Sequence, residues 1–198
     1  MPRKERIWYP HAIYHVMNRG VRKTPLFTEA AEYNTFYRIL LKAQEKYGFK
    51  LHAYCLMKNH YHLLIETQNE ELWKIMKDIN QVYAQNFNYR HATRGHVFEA
   101  RYHAILIKDE SYFLEVSRYI HQNPVKANIV NSPEEYPYSS YRAYIGQTYD
   151  FLTDTSYLHS IFGQKDGYRN LRFFMEKKRD NEEQTEIIKK DIGEENDA

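Results

Sequence analysis

The chain has 198 residues, enough for one domain with an appended segment and for a core that needs neither disulfides nor a structural metal. With 42% hydrophobic and 27% charged residues and a mean hydropathy of −0.79, it reads as soluble and globular; no run approaches the roughly 18 apolar residues of a membrane span, and one cysteine, Cys55, excludes a disulfide framework or a thiolate zinc site. The net charge of +2 conceals an asymmetry, because from Glu176 onward nine acidic residues outweigh five basic ones, and the basic body suits a polyanionic partner.

In chain order, residues 11–18 are short, aromatic and β-branched and end at Arg19-Gly20, which predicts a strand. Thr28 is placed to cap a helix running to about Lys46, with Tyr33, Phe36, Tyr37, Leu40 and Leu41 at helical spacing and Gly48 closing it. Residues 49–57 and 60–67 read as two further strands, and the Lys58-Asn59 gap predicts an antiparallel hairpin. A second helix covers residues 69–90, with Leu72, Ile75, Met76, Ile79, Val82 and Tyr83 on one stripe. After Gly95, residues 98–107 give a fourth strand. Asp109 or Ser111 caps a third helix, expected to stop near Asn123 because Pro124 follows.

The resulting order, β-α-β-β-α-β and then α, predicts an α+β, ferredoxin-like split βαβ fold with helices packed on an antiparallel sheet. Residues 1–130 form the expected main domain. Residues 131–178 read as a helical extension packed on it, with helices near 139–145 and 167–178. Residues 179–198 read as a polar acidic tail, either a solvated helix or disordered.

His60 and His62 flank Tyr61 on a predicted strand, so alternation turns both imidazoles to one face while Tyr61, Leu63 and Ile65 turn to the other. Two imidazoles on a rigid strand can make half of a divalent-metal site, but taken alone the His-x-His spacing is a weak signal, more often that of surface or structural histidines. Glu66 shares their face, and His103 falls on the fourth strand. On the third helix Phe113, Val116 and Ile120 form the buried stripe, Tyr119 lies at its edge, and Asn123 follows one turn later. Tyr119 and Asn123 offer a phenol and a carboxamide to one site; as a rim aromatic and a helix cap they would need no function. Cys55 reads as a small packed hydrophobe.

Taken together, four runs are more specific than any one of them: YCLMKNHYHLLIE (54–66), GHVFEARYHAILI (95–107), RYIHQNPVKANIV (118–130) and YPYSSYRAYIG (136–146). In order and spacing they resemble the REP-associated tyrosine transposases, relatives of the single-tyrosine transposases of small insertion sequences within the HUH endonuclease superfamily. The resemblance implies that His60 and His62 hold Mg²⁺ or Mn²⁺, that Asn123 completes the metal site, and that Tyr119 is the nucleophile. Tyr61 departs from the usually apolar residue between the histidines.

The activity so implied is metal-dependent cleavage of single-stranded DNA at hairpin-forming repeats through a 5′-phosphotyrosine, followed by rejoining. The partner would be single-stranded or hairpin DNA, bound by a monomer or homodimer with no membrane association. The N-terminal Arg3, Lys4 and Arg6 lead into no apolar stretch of the signal-peptide kind, so a cytoplasmic, nucleoid-associated protein is expected. Arg19, Arg22, Lys23, Arg94, Arg101 and Arg118 are candidate phosphate contacts. The competing reading is a ferredoxin-like module that binds single-stranded nucleic acid without cutting it.

Overall fold

The computed structural model describes residues 7–163, 167–177, 188 and 190. Four strands, β1 (Ile13–Arg19), β2 (Lys50–Met57), β3 (His60–Glu66) and β4 (His103–Leu106), form one sheet in the order β2-β3-β1-β4, every neighbouring pair antiparallel. Helices α1 (Ala30–Tyr47) and α2 (Leu72–Arg90) link the strands, and α3 (Glu110–Lys126) follows β4. This is the split βαβ arrangement read from the sequence.

Alternation along the strands divides the interior into two layers. Tyr14, Val16, Tyr54, Leu56, Tyr61, Leu63 and Ile65 pack against Phe36 and Leu40 of α1 and Ile75, Met76, Ile79 and Tyr83 of α2. Met17, Cys55, Met57 and Leu64 face the opposite way, onto Phe113, Val116, Tyr119 and Ile120 of α3. The C-terminal extension joins this second layer through α4 (Tyr141–Tyr144), α5 (Ser156–Phe162) and α6 (Gly167–Glu176), which contribute Tyr141, Tyr144, Leu158, Leu171 and Met175. Helix α5 was not anticipated. Of the stretch expected to be a polar tail, Ile188 is buried in this layer and Lys190 is exposed; the remainder lies outside the described residues.

Local chemistry sets the element ends. The turn after β1 requires Gly20, because a Cβ there would sit 2.2 Å from the Thr24 carbonyl oxygen. Thr28 does not cap α1: Glu29 does, in a capping box with Glu32. The Thr28 amide and hydroxyl both donate to that Glu32 carboxylate. Gly48 ends α1 at φ 68°, as expected of a left-handed cap. Strand β4 is shorter than expected, since residues 98–102 make only an isolated bridge between Phe98 and Gly20.

Asp109 caps α3 by accepting the Tyr112 amide, but the helix runs through Pro124 instead of stopping before it. Amides beyond the proline complete the last turn, Ala127 donating to Asn123 and Ile129 to Pro124, so the missing proline N–H costs a bond only near the helix end. A register shift between Leu51 and Ala53 forms a bulge that aims His52 at Glu66.

Candidate active site

The register of the sheet fixes which side chains share the face under α3. Met17 pairs with His62, which pairs in turn with Cys55, and one step along Arg19 pairs with His60, opposite Met57. His60 and His62 therefore point to the α3 side, their ring centroids 5.0 Å apart and nearly perpendicular at 86°. Tyr119 descends from α3 onto the same patch. Its ring lies 5.6 Å from His62 at 90° and 6.0 Å from His15 at 68°, and only 4% of the residue is exposed.

His15, absent from the sequence-based candidates, completes the group: its Nε2 lies 3.1 Å from His62 Nδ1, and both side chains are fully buried. Burial, and secondarily the neighbouring imidazole charge, holds both well below the ordinary histidine value, so both are neutral. His60 is half-buried at the rim, and its Nδ1 donates to Asn59 Oδ1 at 2.7 Å. That bond places the His60 proton on Nδ1 and its lone pair on Nε2. Asn123 uses its amide nitrogen to donate to the Tyr119 carbonyl at 2.9 Å, which leaves the amide oxygen as its donor atom toward any cation. The Lys126 ammonium stands 5.1 Å from the Tyr119 ring centroid.

The candidate phosphate contacts separate into two groups. Arg19 Nε donates to Glu99 at 2.8 Å, and backbone bonds from Val21 to Val97 and from Glu99 to Arg19 tie segment 19–21 to segment 97–99. Arg22 and Lys23, exposed and held at φ 52° and 59°, continue from that seam, and the segment between α2 and β4 carries the exposed Arg94 and Arg101. Arg19 is the register partner of His60, so this basic rim begins at the histidine end of the sheet. Arg118 is elsewhere: its guanidinium donates to the Lys177 carbonyl beyond the end of α6.

Glu66 does not join the histidine pair. It lies at the far end of β3, opposite Ile13, and accepts from His52, Gln68 and His11. Those bonds, that of His52 foremost, hold its carboxyl down at about 2. His103 is exposed on β4, beside Met17. Cys55 is buried with its thiol pushed up by burial, a packed hydrophobe as expected.

Residues 9–123, more than half of the chain, match the family model described as "Transposase IS200 like". The chain belongs to that family. It is 26% identical over 122 residues to a Haemophilus influenzae protein provisionally named a REP-associated tyrosine transposase, a match covering 54% of this chain and 68% of that one. Its fold is similar to that of a REP-associated tyrosine transposase solved bound to a REP hairpin, with a TM-score of 0.63 and 16% identity over 79% of this chain and 96% of the other. Among the described residues no helix is long and apolar enough to cross a membrane.

Two members of the site were not read from the sequence. His15 alternates with Met17 and Arg19, so its face was legible, but its proximity to His62 depends on the β1–β3 register. Lys126 fell beyond the expected end of the third helix and so lost its helical relation to Tyr119.

Proposed function

We propose that this transposase-family protein is a metal-dependent single-strand DNA endonuclease and strand transferase that cuts beside hairpin-forming repeats through a 5′-phosphotyrosine. The observation that carries the reading is the packing of Tyr119 at 5.6 Å from His62, on a helix laid across the histidine face. A phenol is a weak nucleophile near neutrality and needs its reaction site organised around it. The Tyr119 oxygen attacks the scissile phosphorus and gives up its phenolic proton, the bond from phosphorus to the 3′ oxygen breaks, and that oxygen takes up a proton to leave as a 3′-OH. The 5′ side stays esterified to Tyr119, and attack by another 3′-OH reverses the step and joins strands.

The donor set fits Mn²⁺ and admits Mg²⁺: the imidazoles of His60 and His62, the latter kept neutral by burial, with the Asn123 amide oxygen. Among the described residues no group of three or more His, Cys, Asp or Glu side chains could hold a metal, so the two imidazoles would need the Asn123 carboxamide to complete the protein's share of the site. When bound, the cation neutralises charge developing on the phosphoryl oxygens. His60 and His62 position it, Asn123 ties that position to the helix carrying Tyr119, and the rim of Arg19, Arg22, Lys23, Arg94 and Arg101 holds the flanking phosphates.

The hairpin substrate is inferred from the bound REP hairpin of the structural neighbour. The non-catalytic alternative finds less support. Ferredoxin-like sheets that bind single strands do so on an open aromatic face, whereas here α1 and α2 cover one face and α3 the other. The test is direct: with a hairpin oligonucleotide carrying a single-stranded flank and Mn²⁺, the protein should form a DNA adduct that survives denaturing electrophoresis, and mass spectrometry should map it to Tyr119. Cleavage without an adduct, or an adduct on another tyrosine, rejects the mechanism.

A further inference from the structure

His15 is a costly residue to place where it is. It is wholly buried, its Nδ1 has no hydrogen-bond partner among the described residues, and its Nε2 meets only His62 Nδ1, at 3.1 Å. Its neighbours on the same face, Met17 and Leu64, are apolar, and an apolar side chain at position 15 would avoid a half-satisfied buried ring. A buried polar group kept at such a cost calls for an explanation beyond packing.

Between two neutral imidazoles joined Nε2 to Nδ1 there is room for one proton. If it sits on His15 Nε2, then His62 carries its own proton on Nε2 and cannot donate a lone pair there. If it sits on His62 Nδ1, the bond points toward His15, and His62 Nε2 carries the lone pair that a cation needs. Because Nδ1 of His62 is turned to His15, Nε2 is the nitrogen that faces any cation shared with His60. Histidine ligands are commonly oriented by an acceptor on the other ring nitrogen, a role usually filled by a carboxylate or carbonyl.

We propose that His15 is a positioning residue for the cation site: it accepts the Nδ1 proton of His62, fixing both the ring orientation and the tautomer that exposes the Nε2 lone pair. The inference rests on the reading of His62 as a metal ligand. His15 touches neither cation nor DNA and acts through His62 alone. A glutamine at position 15 can place an amide oxygen near the site of the His15 Nε2 and accept the same proton, whereas leucine fills the space and accepts nothing.

The experiment is Mn²⁺ binding to the full chain without DNA, followed by the electron paramagnetic resonance signal of the free ion. His15→Leu should weaken Mn²⁺ by about 10–100-fold, the usual consequence of losing such an orienting partner, while His15→Gln should stay within about threefold of the unaltered protein. Unchanged affinity in His15→Leu overturns the proposal, as does a His15→Gln protein as weak as His15→Leu. His62→Ala serves as the reference. If it leaves Mn²⁺ binding unchanged, the ligand reading fails and takes this one with it; if it weakens binding and His15→Leu does not, only the role of His15 fails. Should His15→Leu not fold, the ¹⁵N-histidine spectrum of the unaltered protein saturated with Mg²⁺ decides: a protonated Nδ1 on His62 supports the proposal, and a protonated Nε2 overturns it.

Discussion

On the side of the sheet covered by α1 and α2, the strands present Tyr14, Val16, Tyr54, Leu56, Tyr61, Leu63 and Ile65, and the tyrosine hydroxyls reach partners at the layer's margins, Tyr61 at Asn80 and Tyr14 at the Ile7 carbonyl. On the side covered by α3 the same strands present His15, Met17, Cys55, Met57, His60, His62 and Leu64. Both faces are packed, yet the second holds the imidazoles of His15 and His62, kept neutral by burial. Burial on the first face converts apolar area into stability. On the second, much of that stabilisation is given up to hold nitrogen donors next to a phenol. The faces should therefore respond to substitution in opposite ways, stability failing on one and chemistry on the other.

The largest effect expected is from Tyr119→Phe, which removes one oxygen from the α3 face. The ring contacts with His15 and His62 persist, so thermal unfolding and hairpin affinity should barely change. Cleavage and adduct formation should fall by at least about 10³-fold, measured in single-turnover assays with Mn²⁺. Tyr61→Phe is the matching change on the other face: it loses the bond to Asn80, at about 1 kcal/mol of stability, and should cut normally.

Adjacent residues on β3 sharpen the contrast further. His62→Gln should reduce cleavage about 10²-fold or more at a small cost in stability, because the amide keeps much of the ring's volume and can still bond to His15. Leu63→Ala, one residue along and facing α1 and α2, should cost about 2–5 kcal/mol and leave the turnover of the folded fraction nearly intact. Denaturant unfolding and single-turnover cleavage of the two proteins check both halves. If Leu63→Ala loses chemistry and keeps stability, the division of labour between the faces is wrong.

The α3 layer also predicts acid lability. His121, buried on α3 with its Nε2 at 2.7 Å from Ser140 Oγ, is held down to about 3 by burial, and His15 and His62 are lowered in the same direction. The unfolded chain takes up protons near the ordinary value of 6.5 while the folded one does not. For His121 the resulting stability is full above about 6.5 and is lost as pH falls toward 3, at up to about 1.4 kcal/mol per pH unit within that window, and His15 and His62 act with the same sign. His121→Gln should flatten the slope of unfolding free energy against pH by about one proton between pH 6 and 4. An unchanged slope would mean that His121 is protonated in the folded protein.

Most of the fold was legible because its determinants are local. The two-residue Lys58-Asn59 turn, the stripe from Leu72 to Tyr83 and the Asp109 cap all act within a few residues of themselves. The errors arose where a local rule met tertiary context: Pro124 is tolerated one turn from the end of α3, Glu32 draws the start of α1 one residue past Thr28, and the bridge from Phe98 to Gly20 interrupts what had read as a long fourth strand. In the site, His60, His62, Tyr119 and Asn123 were named from spacing and resemblance. His15 and Lys126 were not, because the first depends on strand register and the second on a helix passing through its proline.

The smallest effects separate the basic rim from the arginine that left it. Arg22 and Lys23 extend from the end of β1 where Arg19 stands opposite His60, whereas Arg118 is engaged with the Lys177 carbonyl. A cation on a DNA phosphate displaces condensed counterions, so removing one such cation lowers the dependence of log affinity on log salt by about 0.7 for a single strand and about 0.9 for a duplex stem. Arg22→Ala and Lys23→Ala should each shrink that slope by about this amount and weaken hairpins of different sequence alike. Arg118→Ala should leave the slope unchanged and instead loosen α6, which hydrogen exchange along Gly167–Glu176 can follow. A slope change in Arg118→Ala equal to that of Arg22→Ala would put the Arg118 guanidinium on DNA, and would show that its bond to the Lys177 carbonyl gives way when substrate binds.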